Sequence, residues 1–447
     1  MRRAVMLTAL IVSALVAAVA ASARSYTPAK HNAPAKLTVW VGWSARELGE
    51  FKKVVAEYDS AHPDVTVKVV GSINDDKITA AIRSGNAPDV VSSFTSANVG
   101  VYCGTGAWID LAPLLKKSNI SMSMFTPATR YYTQFGGKQC ALPLLADVHG
   151  LYYNKTLFKK AGIAGPPKTL SELAADAKKL TQRNPDGSIK VAGFVPLSGF
   201  YVGNTGDMSL YSAPIGGKYF DAKGKSNLSR DPAWAGLLQW QKSLLNWYGY
   251  KNLVKFTAGA GQEFSASNAF EVGKVAMQLD GEWRVAFIKA EHPELDYGTA
   301  PMAVADAHPE LYGAGYINGT IIGIPKGGHN VDKAWELVKY LTTNTHALAK
   351  FSNGIRNVPS TAASTTSKEL DPDPHFATFL KIFTNPHSAT VPITAAGTQY
   401  GTLITSFTQK WAGGKVKDLK DGLAKLDKDI DNQLAQAKKG GGGGGVP

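Results

Sequence analysis

Between residues 36 and 92 short β-branched runs alternate with amphipathic ones, and that alternation leaves few folds open. Residues 36–41, KLTVWV, have the β-branched and aromatic content of a strand. Over 45–60, Leu48, Phe51, Val54, Val55 and Tyr58 recur at helical spacing and predict a helix with one apolar face. Residues 65–70 read as a second strand, 76–83 as a second helix stopped by Gly85, and 89–92 as a third strand. Strand–helix–strand–helix–strand with short joints predicts right-handed crossovers and a mostly parallel sheet.

The alternation resumes with other lengths. Strands are expected at 150–153, 274–280 and 321–325, and helices at 169–180, 231–248, 282–290, 331–342 and 416–438. Thr169 with Glu172 three residues on forms a capping box at one helix start. The glycine run 440–445 predicts a disordered tail over 439–447. A chain of 447 residues, 44% apolar and 19% charged, is globular but too long for one core, so two α/β domains are expected.

The first residues predict export. Arg2 and Arg3 precede an apolar run over 4–20, and Ala21-Ser22-Ala23 offers a cleavage site. Residues 1–23 therefore read as a cleaved signal peptide; a membrane anchor is the alternative, against which the run is short. The first cysteine is Cys103, so none near the cleavage site carries a lipid, and the mature protein is expected outside the cytoplasm, in the periplasm or at the cell surface. In such a compartment Cys103 and Cys140 are expected to form a disulfide, with two buried thiols as the alternative.

The net charge of +13 raises nucleic-acid binding, but the lysines are scattered as pairs such as Lys52-Lys53 and Lys178-Lys179, with no basic stripe; attraction to an acidic cell surface or to an anionic ligand stays open. No nucleic-acid partner, cofactor or metal is expected. H-E-x-x-H, G-x-S-x-G, P-loop and cysteine–histidine patterns are missing, and Gly313, Gly315 and Gly319 are off-spacing for a dinucleotide fingerprint. Asp280 and Glu282 offer two carboxylates for glycoside hydrolysis, but nearness in sequence does not set their gap across a sugar. Binding without catalysis is the expectation; a secreted carbohydrate-active enzyme is the competing class.

Five segments in order resemble the extracellular solute-binding proteins of family 1, the group of the maltose-binding protein. They are Ala81 to Val91 with its Ala-Pro-Asp89; Ala141-Leu-Pro143 with Leu151-Tyr-Tyr-Asn154-Lys155 and Pro166-Pro167-Lys-Thr169; Ala269-Phe270 to Met277 ending in Gly281-Glu-Trp283; Gly319 to Pro325 with the helix after Asn330; and Ile355-Arg356-Asn-Val-Pro359. The resemblance implies a periplasmic-binding-protein-like fold of two α/β lobes, each of discontinuous chain, with a hinge between them. It implies a first lobe of 36–145 and 313–365 and a second of 146–312 and 366–438. It also implies a monomer that binds a mono- or oligosaccharide and delivers it to the permease of an ABC importer. A polyamine, an iron chelate or an organic anion on the same fold is the alternative.

Sugars present apolar faces and a rim of hydroxyls, so aromatic plates and charged or amide groups are sought beyond the carboxyl ends of strands. Trp43 and Ser44 follow the first strand; Trp43 reads equally as core. Ser93, Phe94 and Thr95 follow the third. The family places a sugar-binding carboxylate near Asp147, whose other reading is a cap or surface charge, and a stacking tryptophan at Trp283, whose other reading is lobe core. Glu282 reads as a hydroxyl contact or a first-turn acid. Tyr316 and Asn318 lie in a glycine-rich loop, and Arg356 meets an anion or pairs with a carboxylate. Tyr400 falls where the family sometimes has a second plate. Phe200 and Tyr201 lie in a loop of the second lobe; Trp234, Trp240, Trp247 and Trp335 are read as helix core.

Overall fold

The computed structural model describes residues 34–439; the expected leader at 1–23 and the glycines at 440–445 lie outside the described residues. One sheet runs through the molecule in the order Val65–Val70, Ala35–Trp40, Val90–Ser93, Ile317–Gly323, Leu142–Asn154, Val275–Gly281, Ile189–Phe194, Gln182–Arg183. Its first three strands are parallel, as helical crossovers between them require. The centre is not. Ile317–Gly323 runs antiparallel to both neighbours, and Leu142–Asn154 is antiparallel to every strand it pairs with. The sheet is thus mixed, which corrects the mostly parallel expectation. The long strand carries the chain from one half of the molecule to the other, and Ile317–Gly323 brings it back.

That long strand was expected only at 150–153, because Pro143, Asp147 and His149 interrupt its apolar pattern; it spans thirteen residues, Leu142–Asn154. Elsewhere local chemistry acts as the sequence predicts. The helix Ala45–Ala61 buries Phe51, Val54, Val55 and Tyr58 on one face. Thr169 caps Leu170–Leu180 and Glu172 completes the box. The final helix, Leu419–Lys439, takes in Lys439, which the sequence assigns to the tail. Of the four helical tryptophans, Trp234 and Trp335 are buried and Trp240 is half-buried, but Trp247 is 39% exposed under the guanidinium of Arg183, which corrects its reading as core.

Buried apolar side chains fall into three clusters. One joins Leu37–Val55 and Leu142–Leu145 to Trp335–Ile355. A second joins Leu151–Ala303 to Tyr400–Ile430. The third underlies the crossing strand, where Val91, Trp108 and Tyr132 meet Tyr152, Phe270 and the helix Pro374–Thr384. Two α/β lobes built from discontinuous chain result, with a packed junction beneath the cleft.

Asp89 explains why an Ala-Pro-Asp sequence matters to the first lobe. Its carboxylate accepts Thr38 N–H at 2.8 Å on one oxygen, and His329 N–H at 3.2 Å and Asn330 N–H at 3.3 Å on the other. Segments 240 residues apart are thereby held on one charged acceptor. The disulfide between Cys103 and Cys140 is present, its Cα atoms 5.6 Å apart, and anchors the helix Val99–Thr105 just ahead of the crossing strand. No described helix is long and apolar enough to cross a membrane.

Closing a loop of 37 residues removes loop-closure entropy from the unfolded chain. The Cys103→Ser/Cys140→Ser double variant is expected to lose about 4 kcal/mol of unfolding free energy in urea. Wild-type protein should gain two alkylatable thiols only after reduction; thiols that react without reductant would refute the bridge.

Candidate ligand-binding cleft

The crossing strand and its return strand meet in a register that brings distant polar residues together. Asp147 lies opposite Asn318, and Val358 pairs with Ala146, bringing Asn357 to the same place. Side chains alternate across a strand, so Asp147 and His149 share a face. Tyr316, Asn318 and Thr320 share one on the return strand. These five and Asn357 line one side of a cavity of about 700 Å³. The first lobe adds Gly42 to Glu47, Phe94 and Thr95; the second adds Phe200, Asp207, Ser209, Leu210, Phe264, Trp283, Phe287, Ala290 and Glu291. A second hollow of about 320 Å³ shares Thr95, Asp207, Ser209, Tyr316 and Asn318 with it and extends to Tyr400.

Aromatic rings face the cavity from both lobes. Trp283 opens the helix Arg284–Glu291 and is half-buried, its ring meeting His149 edge-on at 5.3 Å and Phe200 at 6.3 Å. Its indole N–H donates to Glu263 Oε1 at 3.2 Å. Gly281 is required beneath it, since a Cβ there would lie 2.2 Å from the indole. Gly42 does the same for Phe94, whose ring would lie 2.4 Å from a Cβ and which stays 42% exposed. Trp43 is a core residue that also reaches the cavity wall. It packs with Phe51 at 5.3 Å and Phe351 at 4.9 Å, is 4% exposed, and still contributes to the cavity wall.

The polar groups are held in place. Asn318 accepts from Ser96 Oγ and donates to Phe94 O, and Asn357 donates to Asp147 Oδ1 at 2.5 Å. Burial pushes the Asp147 carboxyl up to about 7, against the Asn357 donation and with the help of Glu47. Burial likewise raises Glu47, and it lowers His149 to about 3, so the imidazole is neutral. Behind Trp283, Arg284 is fully buried. It donates to Asp280 at 2.9 Å and Glu271 at 2.7 Å and lies 3.9 Å from Glu263. Three carboxyls around one guanidinium cannot all be charged at low cost; burial, then Asp280, pushes Glu263 up to about 9.

Of the residues singled out in the sequence, Trp43, Ser44, Phe94, Thr95, Asp147, Trp283, Tyr316 and Asn318 line the cavity. Three do not. Glu282 is on the far side of the strand end, fully buried, accepting Val148 N–H at 2.6 Å and Val358 N–H at 3.3 Å; it ties backbone to backbone. Arg356 is 3% exposed over Phe376 and donates to Asp371 O, so it takes the structural alternative. Ser93 accepts Thr95 N–H and opens onto an adjoining hollow with Ser72 and Asn74 that shares Gly42, Ser44, Phe94 and Thr95 with the cavity. Tyr400 borders the second hollow only, its hydroxyl donating to Pro392 O at 2.9 Å. Phe200 lines the cavity and Tyr201 packs on it.

Sequence reasoning missed Arg46, Glu47, His149, Asp207, Phe264, Phe287, Glu291 and Asn357. His149 and Asn357 were within reach: one sits two residues beyond Asp147 in a strand, the other beside Arg356. Arg46 and Glu47 open the helix after Trp43-Ser44, a position where ligands are expected. Asp207 and Phe264 come from long irregular loops that carry no periodic signal.

The chain matches the family described as bacterial extracellular solute-binding protein over residues 43–347. It is 23% identical over 345 residues to the maltotriose-binding protein of Pyrococcus abyssi, covering 76% of this chain and 69% of that one. It is 27% identical over 314 residues to a probable ABC transporter-binding protein of Deinococcus radiodurans, covering 70% and 72%. The solved structure of CpMnBP1 with mannotriose bound superposes with a TM-score of 0.77 at 27% identity, covering 90% of this chain and 100% of that one. A two-lobed mixed sheet, a polar cleft at its crossing strands and a family match over two-thirds of the chain agree: this protein belongs to the bacterial extracellular solute-binding proteins.

Proposed function

We propose that the cleft binds a carbohydrate and that the protein delivers it, unchanged, to the membrane permease of an ABC importer. One observation carries the reading. The cavity of about 700 Å³ sets the rings of Trp43, Phe94, Trp283 and Tyr316 around a rim of carboxyl and amide groups, Asp147, Asp207, Asn318 and Asn357. Aromatic faces suit the C–H faces of a pyranose, and the rim suits its hydroxyls. Each hydrogen bond to a charged group contributes about 1.5–3 kcal/mol net. A few of them with stacking reach about −8 kcal/mol, a micromolar constant that suits a scavenging receptor. The ligands of the maltotriose-binding relative and of the mannotriose-bound structure support the same class.

The rest of the reading follows from it. The lobes, 36–145 with 313–365 and 146–312 with 366–438, close about the crossing strands. The protein acts as a monomer outside the cytoplasm after loss of residues 1–23. No step of catalysis is assigned to it.

Trp283 is taken as the floor of the sugar site. Trp283→Ala is expected to weaken binding of the identified sugar at least tenfold, about 1.4 kcal/mol, in titration calorimetry. Urea unfolding of the same variant should fall by less than the 3–5 kcal/mol typical of a core tryptophan, since the ring is half-buried. An unchanged dissociation constant would remove Trp283 from the site.

Scattering is expected to give a smaller radius of gyration with a bound sugar than without, and chromatography should recover that sugar intact. Release of cleaved product in excess over protein would move the chain into the enzyme class.

A further inference from the structure

Charged side chains in the cleft are strongly one-sided. Five line it: Arg46, Glu47, Asp147, Asp207 and Glu291. Lysine and arginine outnumber aspartate and glutamate 48 to 35 over the whole chain, so four acids to one base is the reverse of the composition and not its overflow. The single base is engaged in part. Arg46 Nη1 donates to Gly354 O at 2.7 Å, and its guanidinium carbon lies 4.9 Å over the ring of Phe287, across the cleft. Its Nη2 is 4.0 Å from Glu47 and buried without a hydrogen-bond partner. The next cation, Arg284, is sealed behind Trp283 by Asp280 and Glu271.

A second observation points to a ligand with polar hydrogens. His149 is 6% exposed and lines the cavity, and its Nδ1 is buried with no hydrogen-bond partner. Its ring is walled by Trp283, Phe200 and Tyr316. A neutral imidazole exchanges hydrogen bonds with a hydroxyl or accepts one from an ammonium, but it contributes no charge to hold an anion. Asp147, two residues before it, has only the Asn357 amide as a side-chain partner and no cation.

We infer that the cleft selects saccharides by charge, accepting uncharged and amino-substituted ones and rejecting acidic or phosphorylated ones. The inference rests on the carbohydrate reading and narrows it. A ligand carboxylate or phosphate would face four acidic side chains, two of which, Asp147 and Glu47, burial already holds back from ionising, with one guanidinium, held by Gly354 O and Phe287, to meet it. An ammonium would supply the cation that Asp147 lacks.

Calorimetry on the mature protein tests this in two stages. A panel of neutral oligosaccharides, maltotriose and mannotriose among them, first identifies a binder; if none binds, it is the carbohydrate reading that fails. The 6-amino-6-deoxy, uronic-acid and 6-phosphate derivatives of that binder are then titrated at one ionic strength. The amino derivative is expected to bind at least as tightly as the parent, and both acidic derivatives at least tenfold more weakly. Asp207→Asn and Glu47→Gln, each checked for folding by urea unfolding, should narrow the acidic penalty severalfold. Acidic derivatives that bind within threefold of the parent, an amino derivative that binds more than tenfold more weakly, or variants that leave the penalty unchanged would each overturn charge selection while leaving sugar binding in place.

Discussion

Everything about the cleft depends on satisfying the backbone of Leu142–Asn154. Twelve of its thirteen residues are buried, so its N–H and C=O groups have no water to turn to and must be paired within the protein. Four other strands meet that demand. Ile317–Gly323 and Val358–Pro359 pair with it toward the first lobe, and Val275–Gly281 and Tyr297–Ala300 toward the second. Those pairings fix the register, and the register fixes which side chains face the gap. A slip of one residue would send Asp147 and His149 to the packed side and bring Val148 into the cleft.

Glu282 and Arg284 show how the same region is held from behind. Glu282 joins the crossing strand to Val358 through two backbone N–H groups, beneath the cavity rather than in it. Arg284 gathers Asp280 and Glu271, lies near Glu263, and so fixes the acceptor that orients the Trp283 indole. A buried ionic cluster of this kind contributes little net stability, because desolvation offsets attraction, but it holds its neighbours in a single arrangement. The Trp283 ring at the cavity wall is thus supported by charge buried behind it.

The two lobes also meet directly across the opening. Phe287 of the second lobe lies under Arg46 of the first at 4.9 Å and beside Arg284 of its own at 5.3 Å. A ring between two guanidinium groups gives each a favourable contact without neutralising either. The cleft is therefore narrow where Arg46 approaches Phe287. It is more open near Phe264, which is 58% exposed at the wall.

The sequence by itself determined the elements whose signals are local. The helix Ala45–Ala61, the capped helix at Thr169, the strand Val65–Val70 and the exposed joints at strand ends all follow from spacing and capping within a few residues. It also determined eight of the cavity residues, because ligands gather beyond strand ends and because family-like motifs mark those ends. Tertiary structure alone decided the rest. The length of the crossing strand was hidden by Asp147 and His149, polar residues that only a cleft explains. Glu282 and Trp283 are adjacent in sequence, yet one stitches backbone and the other faces the cavity, because the chain turns from strand to helix between them. Asp207 and Phe264 reach the wall from aperiodic loops, and Asn357 reaches Asp147 across 210 positions. No short-range pattern encodes such a meeting; it exists only once strand register and lobe packing are set.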